Sequence, residues 1–302
     1  MRNHPSHDII RYCIFFVIAA LTSLSDSCFA QDSLFVRRNS AALSCDEALP
    51  IGNGKLGAKV FGGAEIDSVL LFDENCTPFA KLTIHDNNKA ESHFIKQTLN
   101  LNRALLKDEY EQNGLVFTRE YFASYPDRVI GIRIRCQEGV EGENEGKCET
   151  GSKDEKASKI GCTISLTSAY GSSLDASANA ISLKGFSNVN GTRMPFFCRL
   201  ILNSTDGKAK AKDSSITIKD ASEITLYLIS ENGGSSESSI TDEIELQTER
   251  LKMKDFDKIR FFHISDYRNI FARFIPSGRI SDSRFMNSIY RNYLFISWPL
   301  EK

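Results

Sequence analysis

Two neighbouring stretches decide the fold: Leu115-Val116-Phe117-Thr118-Arg119-Glu120-Tyr121-Phe122 and Arg128-Val129-Ile130-Gly131-Ile132-Arg133-Ile134-Arg135. The first is rich in β-branched and aromatic residues. The second alternates, with Ile130, Ile132 and Ile134 on one face and Val129 out of phase. A period of two is what a half-buried strand requires, because successive side chains point to opposite faces of a sheet. The same pattern recurs on either side. Lys59-Val60-Phe61-Gly62-Gly63 leads into Ser68-Val69-Leu70-Leu71-Phe72. Further along come Cys162–Leu166, Phe196–Leu202, Ser215–Ile218 and Glu223–Ile229. Short alternating runs separated by turn residues predict an antiparallel sandwich. No long amphipathic helix interleaves with them over residues 33–230, which argues against a parallel α/β sheet.

Two stretches interrupt the pattern. Glu138 to Lys159 is almost entirely Glu, Lys, Gly and Ser and reads as a solvated hairpin loop. Ser230 to Ser239, with Gly233-Gly234 and several serines, reads as a linker or long loop. Beyond it the period changes. Ile244, Leu246, Leu251, Met253, Phe256 and Ile259 are spaced for helices, as are Asp266–Phe271 and Phe285–Phe295. The expected fold class is therefore mainly β, followed by helices from about 242 to 298.

Composition excludes several classes. Of 302 residues 41% are hydrophobic and 25% charged, which is ordinary for a folded globular chain and too apolar for a disordered one. With 37 basic and 39 acidic residues the net charge is −2, so the balance gives no sign of a nucleic-acid footprint. At the N-terminus, Arg2 and Arg11 precede the uncharged run 12–25, which ends near Cys28-Phe29-Ala30. A charged region, an apolar region and a small-residue cleavage site predict an export signal over 1–30. The run is shorter than the roughly 20 apolar residues of a spanning helix, and no later segment is apolar enough to span. The expected location is thus secreted or periplasmic. Removal of the signal leaves Cys45, Cys76, Cys136, Cys148, Cys162 and Cys198, an even count that permits disulfides in an oxidising compartment.

The candidates for chemistry are weak. Leu49-Pro50-Ile51-Gly52-Asn53-Gly54-Lys55-Leu56-Gly57 has three glycines that would suit an anion cradle, yet Lys55 is followed by Leu56 and the phosphate-loop spacing is absent. A turn entering a strand is the simpler reading, with Gly52, Gly54 and Gly57 at positive φ or under close backbone approach. His85 and His93, near Asp86 and Glu91, lack metal-ligand spacing. His263 with Asp266 fits a helix start, where Asp favours the dipole. Adjacent acids such as Asp73-Glu74 point to opposite faces of a strand, so no carboxylate pair stands out for glycoside hydrolysis. The serine-nucleophile pattern G-x-S-x-G is missing. Asn75-Cys76-Thr77, Asn190-Gly191-Thr192 and Asn203-Ser204-Thr205 fit the glycosylation pattern. No catalytic, cofactor-binding or metal-binding residue can be assigned, and no cofactor is expected.

Several strings in order do resemble a family. Ala48-Leu49-Pro50-Ile51-Gly52-Asn53-Gly54-Lys55-Leu56-Gly57-Ala58 with Val60-Phe61-Gly62-Gly63 looks like the opening of glycoside hydrolase family 95, the inverting α-L-fucosidases. Leu99–Ala104, Tyr110 and Thr118–Val129 resemble its next block. His263–Tyr267 with Ile270–Arg273 resembles the linker to that family's helical barrel, and Asn292–Ser297 its first barrel helix. After the export signal over 1–30, the resemblance implies a β super-sandwich over 33–240, a helical linker over 241–280 and the start of an incomplete (α/α)6 barrel over 281–302. It also implies a fucosylated glycan as the carbohydrate partner, and a barrel that carries catalysis as structural partner. Two departures accompany it. The string after the second strand is reduced to Phe72-Asp73-Glu74-Asn75-Cys76-Thr77. The sequence ends at Lys302, so no residue matches the family's general acid or its water-activating groups. The expected function is the scaffold of a secreted α-L-fucosidase-like hydrolase, inactive by itself. The alternative is a non-catalytic sandwich that binds carbohydrate or a partner chain.

Overall fold

The computed structural model describes residues 35–73, 77–88, 90–137, 159–189, 191–233 and 236–274. The export signal over 1–30, the polar loop over 138–158 and the barrel helix over 281–302 lie outside the described residues, as do Cys76 and Cys148. The rest forms two antiparallel sheets, with strands numbered along the chain. The nine-stranded sheet runs β1 (Phe35–Arg38), β6 (Ser92–Asn100), β7 (Leu105–Gln112), β8 (Leu115–Ser124), β9 (Val129–Gln137), β16 (Glu223–Asn232), β13 (Thr192–Thr205), β12 (Ala180–Val189), β11 (Ser172–Ser177). The seven-stranded sheet runs β14 (Lys208–Lys212), β15 (Ser215–Ala221), β10 (Ile160–Thr167), β5 (Pro78–Asp86), β4 (Ile66–Phe72), β3 (Gly57–Val60), β2 (Leu49–Gly52). The protein is mainly β.

Alternation places the core. Ile130, Ile132 and Ile134 of β9 face the second sheet, in register with Leu228, Leu226 and Ile224 of β16. They meet Val69, Leu71, Leu82, Ile84, Ile164 and Ile216 from the opposite layer. Each such side chain, fully removed from water, contributes roughly 1.5–3 kcal/mol of transfer free energy. At the outer edge Lys208, Lys210 and Lys212 line β14. Lysine solvates an edge whose backbone groups would otherwise template another strand.

Val129 is buried although it is out of phase with the isoleucines. The reason is a second core on the outer face of the large sheet. There Phe122, Val129, Phe197, Ile201, Tyr227 and Ile229 are covered by helix α1 (Glu237–Lys252) and helix α2 (Phe256–Phe274), through Ile240, Ile244, Leu251, Phe256 and Ile259. A strand covered on both faces no longer needs strict alternation.

The expected linker over 230–239 is shorter than its composition suggests. Strand β16 continues to Asn232, and α1 starts at Glu237 because Ser236 caps it, its Oγ accepting from the Ser239 amide at 3.2 Å. Serine is as good a cap as a loop residue, so a serine-rich stretch here marks a helix start. Helix α2 begins at Phe256, where Asp255 accepts from the Lys258 amide at 2.7 Å. His263 and Asp266 therefore sit inside the helix, and the expected helix-start role for that pair is replaced by Asp255 and Asp257. Leu246 and Met253, placed on the apolar stripe by spacing, are exposed. Among the described residues no helix is long and apolar enough to cross a membrane.

Candidate functional site

The most perturbed ionisable groups lie between the two sheets. Gln97, Asp108 and Arg119 are cross-strand neighbours on β6, β7 and β8 and occupy inward positions of the alternation. All three are buried. Opposite them on β4 is Asp67, also buried, which accepts from the Gly62 amide at 3.0 Å and from the Tyr121 hydroxyl. The Arg119 guanidinium lies 4.3 Å from the Tyr110 ring centroid. It donates to the Ala64 carbonyl at 2.9 Å and to the Gly63 carbonyl. Gly63 has φ +130°, and a Cβ there would fall 2.4 Å from the Ile66 carbonyl oxygen. Only glycine lets this loop present its carbonyls to the buried cation.

Burial pushes the Asp67 carboxyl up, opposed by Arg119, Tyr121 and backbone donors. Asp108 is pushed further, well above the ordinary 3.8, by burial first and then by the Asp67 charge, with Arg119 opposing. Two close carboxylates with raised values are how an acid–base pair often appears. Here both have no solvent-exposed surface, so neither can reach a glycosidic bond. Their chemistry is structural: one anion and one cation held inside a sandwich.

The sequence-predicted candidates are placed as follows. The glycine-rich string forms the β2–β3 hairpin, and of its three glycines Gly54 alone has positive φ, at 83°. Asn53 closes the turn, its Oδ1 accepting from the Leu56 amide at 2.9 Å while Nδ2 donates to the Ser124 carbonyl at 3.0 Å. Asp73 is turned inward and accepts from the Thr77 amide at 2.8 Å; Glu74 is outside the described residues. His85 is half-buried beside Glu65, and His93 is exposed beside Glu91. Among the described residues no group of three His, Cys, Asp or Glu side chains is placed to hold a metal. Cys45, Cys162 and Cys198 are free, and burial pushes the Cys162 thiol up to about 12. Asn203 donates from Nδ2 to Thr225 Oγ1 at 3.2 Å.

His263 is buried against Phe122, ring centroids 5.0 Å apart. Its Nε2 lies 3.1 Å from both the Arg103 and Ala104 carbonyls, which fixes the proton on that nitrogen. Burial lowers its value to about 4. Tyr267 donates to the Leu101 carbonyl at 2.7 Å. Glu120 accepts from Arg260 Nε at 2.7 Å and Nη2 at 3.0 Å, and from Arg133 at 3.3 Å. Asp127 accepts from Lys254, and its carbonyl from Gln247. The strings that are far apart in sequence thus meet in space: hairpin with β8, glycine loop with Arg119, helix α2 with the 99–104 turn.

Residues 68–233, more than half of the chain, match the family described as Glycosyl hydrolase family 65, N-terminal domain. The chain belongs to this family. As a family 65 N-terminal domain it is related to glycosyl hydrolases. Among solved structures, the chain is similar to one described as "Putative kojibiose phosphorylase from human microbiome", with TM-score 0.47 and 11% identity over 80% of this chain and 38% of that one. Another is a bacterial glucoamylase complexed with acarbose, with TM-score 0.37 and 10% identity over 78% of this chain and 40% of that one. The chain spans about two fifths of the length of these structures. A comparison with curated proteins finds no match to this sequence.

Sequence reading missed the Asp67–Asp108–Arg119 set. Its signal was a charge on the apolar phase: Asp108 between Leu106 and Tyr110, and Arg119 between Phe117 and Tyr121. An open pocket of about 360 Å³ was also missed. It lies where β11, β12 and β13 pass the first turn of α1, and its lining comes from four separate segments.

Proposed function

We propose that this chain is the N-terminal sandwich and linker of a secreted α-L-fucosidase-like glycoside hydrolase, a scaffold on which a helical barrel performs inverting hydrolysis of terminal α-linked fucosyl residues. The observation that carries the reading is the convergence of the resembling strings on buried joints: Asn53 with Ser124, Gly63 with Arg119, and His263 with the Arg103 and Ala104 carbonyls. Residues spent on such joints serve architecture. The acid and base of an inverting enzyme stand roughly 6.5–9.5 Å apart around a water, open to substrate. The paired carboxylates of this sandwich are sealed instead. Export is supported by the charged, apolar and small-residue regions of 1–30.

The test is the reading frame beyond Lys302. Continuation into helices that carry a Glu and an Asn-rich string supports the proposal; a stop codon there contradicts it. The open pocket favours a second reading, a non-catalytic sandwich that binds carbohydrate.

A further inference from the structure

The open pocket beside α1 holds two cations, Arg193 and Lys184, that are seated on aromatic rings. Arg193 of β13 lays its guanidinium on the Phe186 ring, 3.9 Å from the centroid, so that ring face is already covered by the cation. A guanidinium stacked by its face keeps its N–H donors in its own plane, free to pair beyond the ring. Lys184 of β12 has Nζ 4.4 Å from the Phe197 ring centroid and donates to Thr241 Oγ1 at 3.4 Å. An ammonium has three donors, so Lys184 keeps others. Among the described residues neither side chain forms an ion pair. Glu245, which feels the Lys184 charge, is gripped instead by Arg199 with bonds of 2.8 and 2.7 Å.

A ring attracts a cation without cancelling its charge, whereas a carboxylate partner would neutralise it. The two cations are thus positioned and still carry full charge. Against them the pocket sets one carboxylate, Glu237, in the first turn of α1. The amino end of α1 adds the positive end of its dipole to the same wall. The local balance is positive although the chain as a whole carries −2. Ser172 and Ser173 bring hydroxyl groups to the β11 side. A volume of about 360 Å³ is at the small end of ligand sites.

We propose that this pocket is a non-catalytic binding site for an oxoanion group, a phosphate or carboxylate, free or borne on a sugar-sized molecule. The in-plane donors of Arg193 pair with the oxygens of one anionic group, a charge-assisted contact that a neutral hydroxyl does not match. Lys184 adds a point charge, and the serine hydroxyls donate to remaining oxygens. Glu237 opposes the anion and holds the affinity down, so its removal has a definite sign. The site deepens the binding reading, on which it rests, and requires no hydrolase activity.

A backbone-amide NMR titration of the whole chain tests it. The acidic probes are glucose phosphate, D-glucuronate and inorganic phosphate; D-glucose and an α-1,2-fucosylated trisaccharide are the neutral ones. At least one acidic probe should shift the amides of Ser173, Lys184 and Glu237 saturably, with a dissociation constant in the millimolar range or below, and added salt should weaken it. Arg193→Gln and Lys184→Gln, both at exposed side chains, should each weaken binding by about tenfold, with unchanged melting temperature. Glu237→Gln should strengthen it by about threefold. Equal affinity for inorganic phosphate and glucose phosphate assigns the site to the free ion, and tighter binding of the ester to the borne group; both support the proposal. It is overturned if no acidic probe shifts these amides, if the neutral probes bind as well as the acidic ones, if binding is unchanged in both cation variants, or if Glu237→Gln weakens it. Trisaccharide binding with no preference for acids leaves the binding reading standing while this proposal falls; no binding of any probe removes both.

Discussion

Both carboxylate oxygens of Asp108 are buried without a hydrogen-bond partner, and so is Oε1 of its cross-strand neighbour Gln97. A proton on Asp108 removes one of two neighbouring buried carboxylate charges and leaves Asp67 as the anion that Arg119 and Tyr121 hold. The raised folded-state value has a definite sign. Between the ordinary 3.8 and that value the folded chain binds more protons than the unfolded one, so this contribution is complete below about pH 4 and is lost as pH rises. Asp108→Asn should flatten that part of the profile, so the variant gains on the wild type as pH rises from 4, by up to about 1.4 kcal/mol per pH unit. Urea melts at a series of pH values measure it; an identical pH profile for both proteins would contradict the neutral acid. His263 acts in the opposite direction. Its value falls from 6.5 to about 4, so its contribution is present above pH 6.5 and is lost as pH falls toward 4. His263→Gln should remove roughly 3 kcal/mol of that acid sensitivity, and parallel acid melts of the two proteins would rule this out. Arg119→Met leaves Asp67 buried without its cation and should cost roughly 3–5 kcal/mol, read as a shift in urea midpoint.

At the scale of elements, helix α2 is fixed to the sheet by charge as well as by Phe256 and Ile259. Arg260 grips Glu120 with two bonds, and Arg133 bridges Glu120 to Asp257 at 2.7 Å while lying 4.5 Å from the Phe256 ring centroid. These charges are partly shielded, with Glu120 17% and Arg133 9% exposed, so they are worth more than surface pairs. Glu120→Gln should weaken the docking by about 1–3 kcal/mol. Hydrogen exchange should then quicken in Phe256–Phe274 and stay unchanged in β4 and β10; uniform quickening would mean that the helix and sandwich unfold as one unit. Elements were legible where packing follows period. The isoleucines of β9 lie as their alternation predicts. Val129 keeps its outward phase yet is buried, and Met253 is exposed, because which face a helix covers, and where a helix turns away, depend on tertiary contacts that periodicity does not encode. The start of α1 was hidden because serine both breaks and caps.

For the whole molecule, sequence strings pointed to a glycosyl hydrolase N-terminal sandwich, and the family match supports that level of description. The joints behind the strings were not legible. Arg119 and Gly63 are 56 residues apart, and nothing local shows that they touch. The pocket was illegible for the same reason, with Ser173, Phe186, Arg193 and Glu237 on four different segments. The central claim is that these strings build a scaffold and that its sealed carboxylates do no chemistry. Fucose release from an α-1,2-linked fucosyl substrate by the purified chain tests it most directly. The account predicts no release above a matched blank. Turnover that survives further purification and disappears in Asp67→Asn, with the fold retained by circular dichroism, would contradict it.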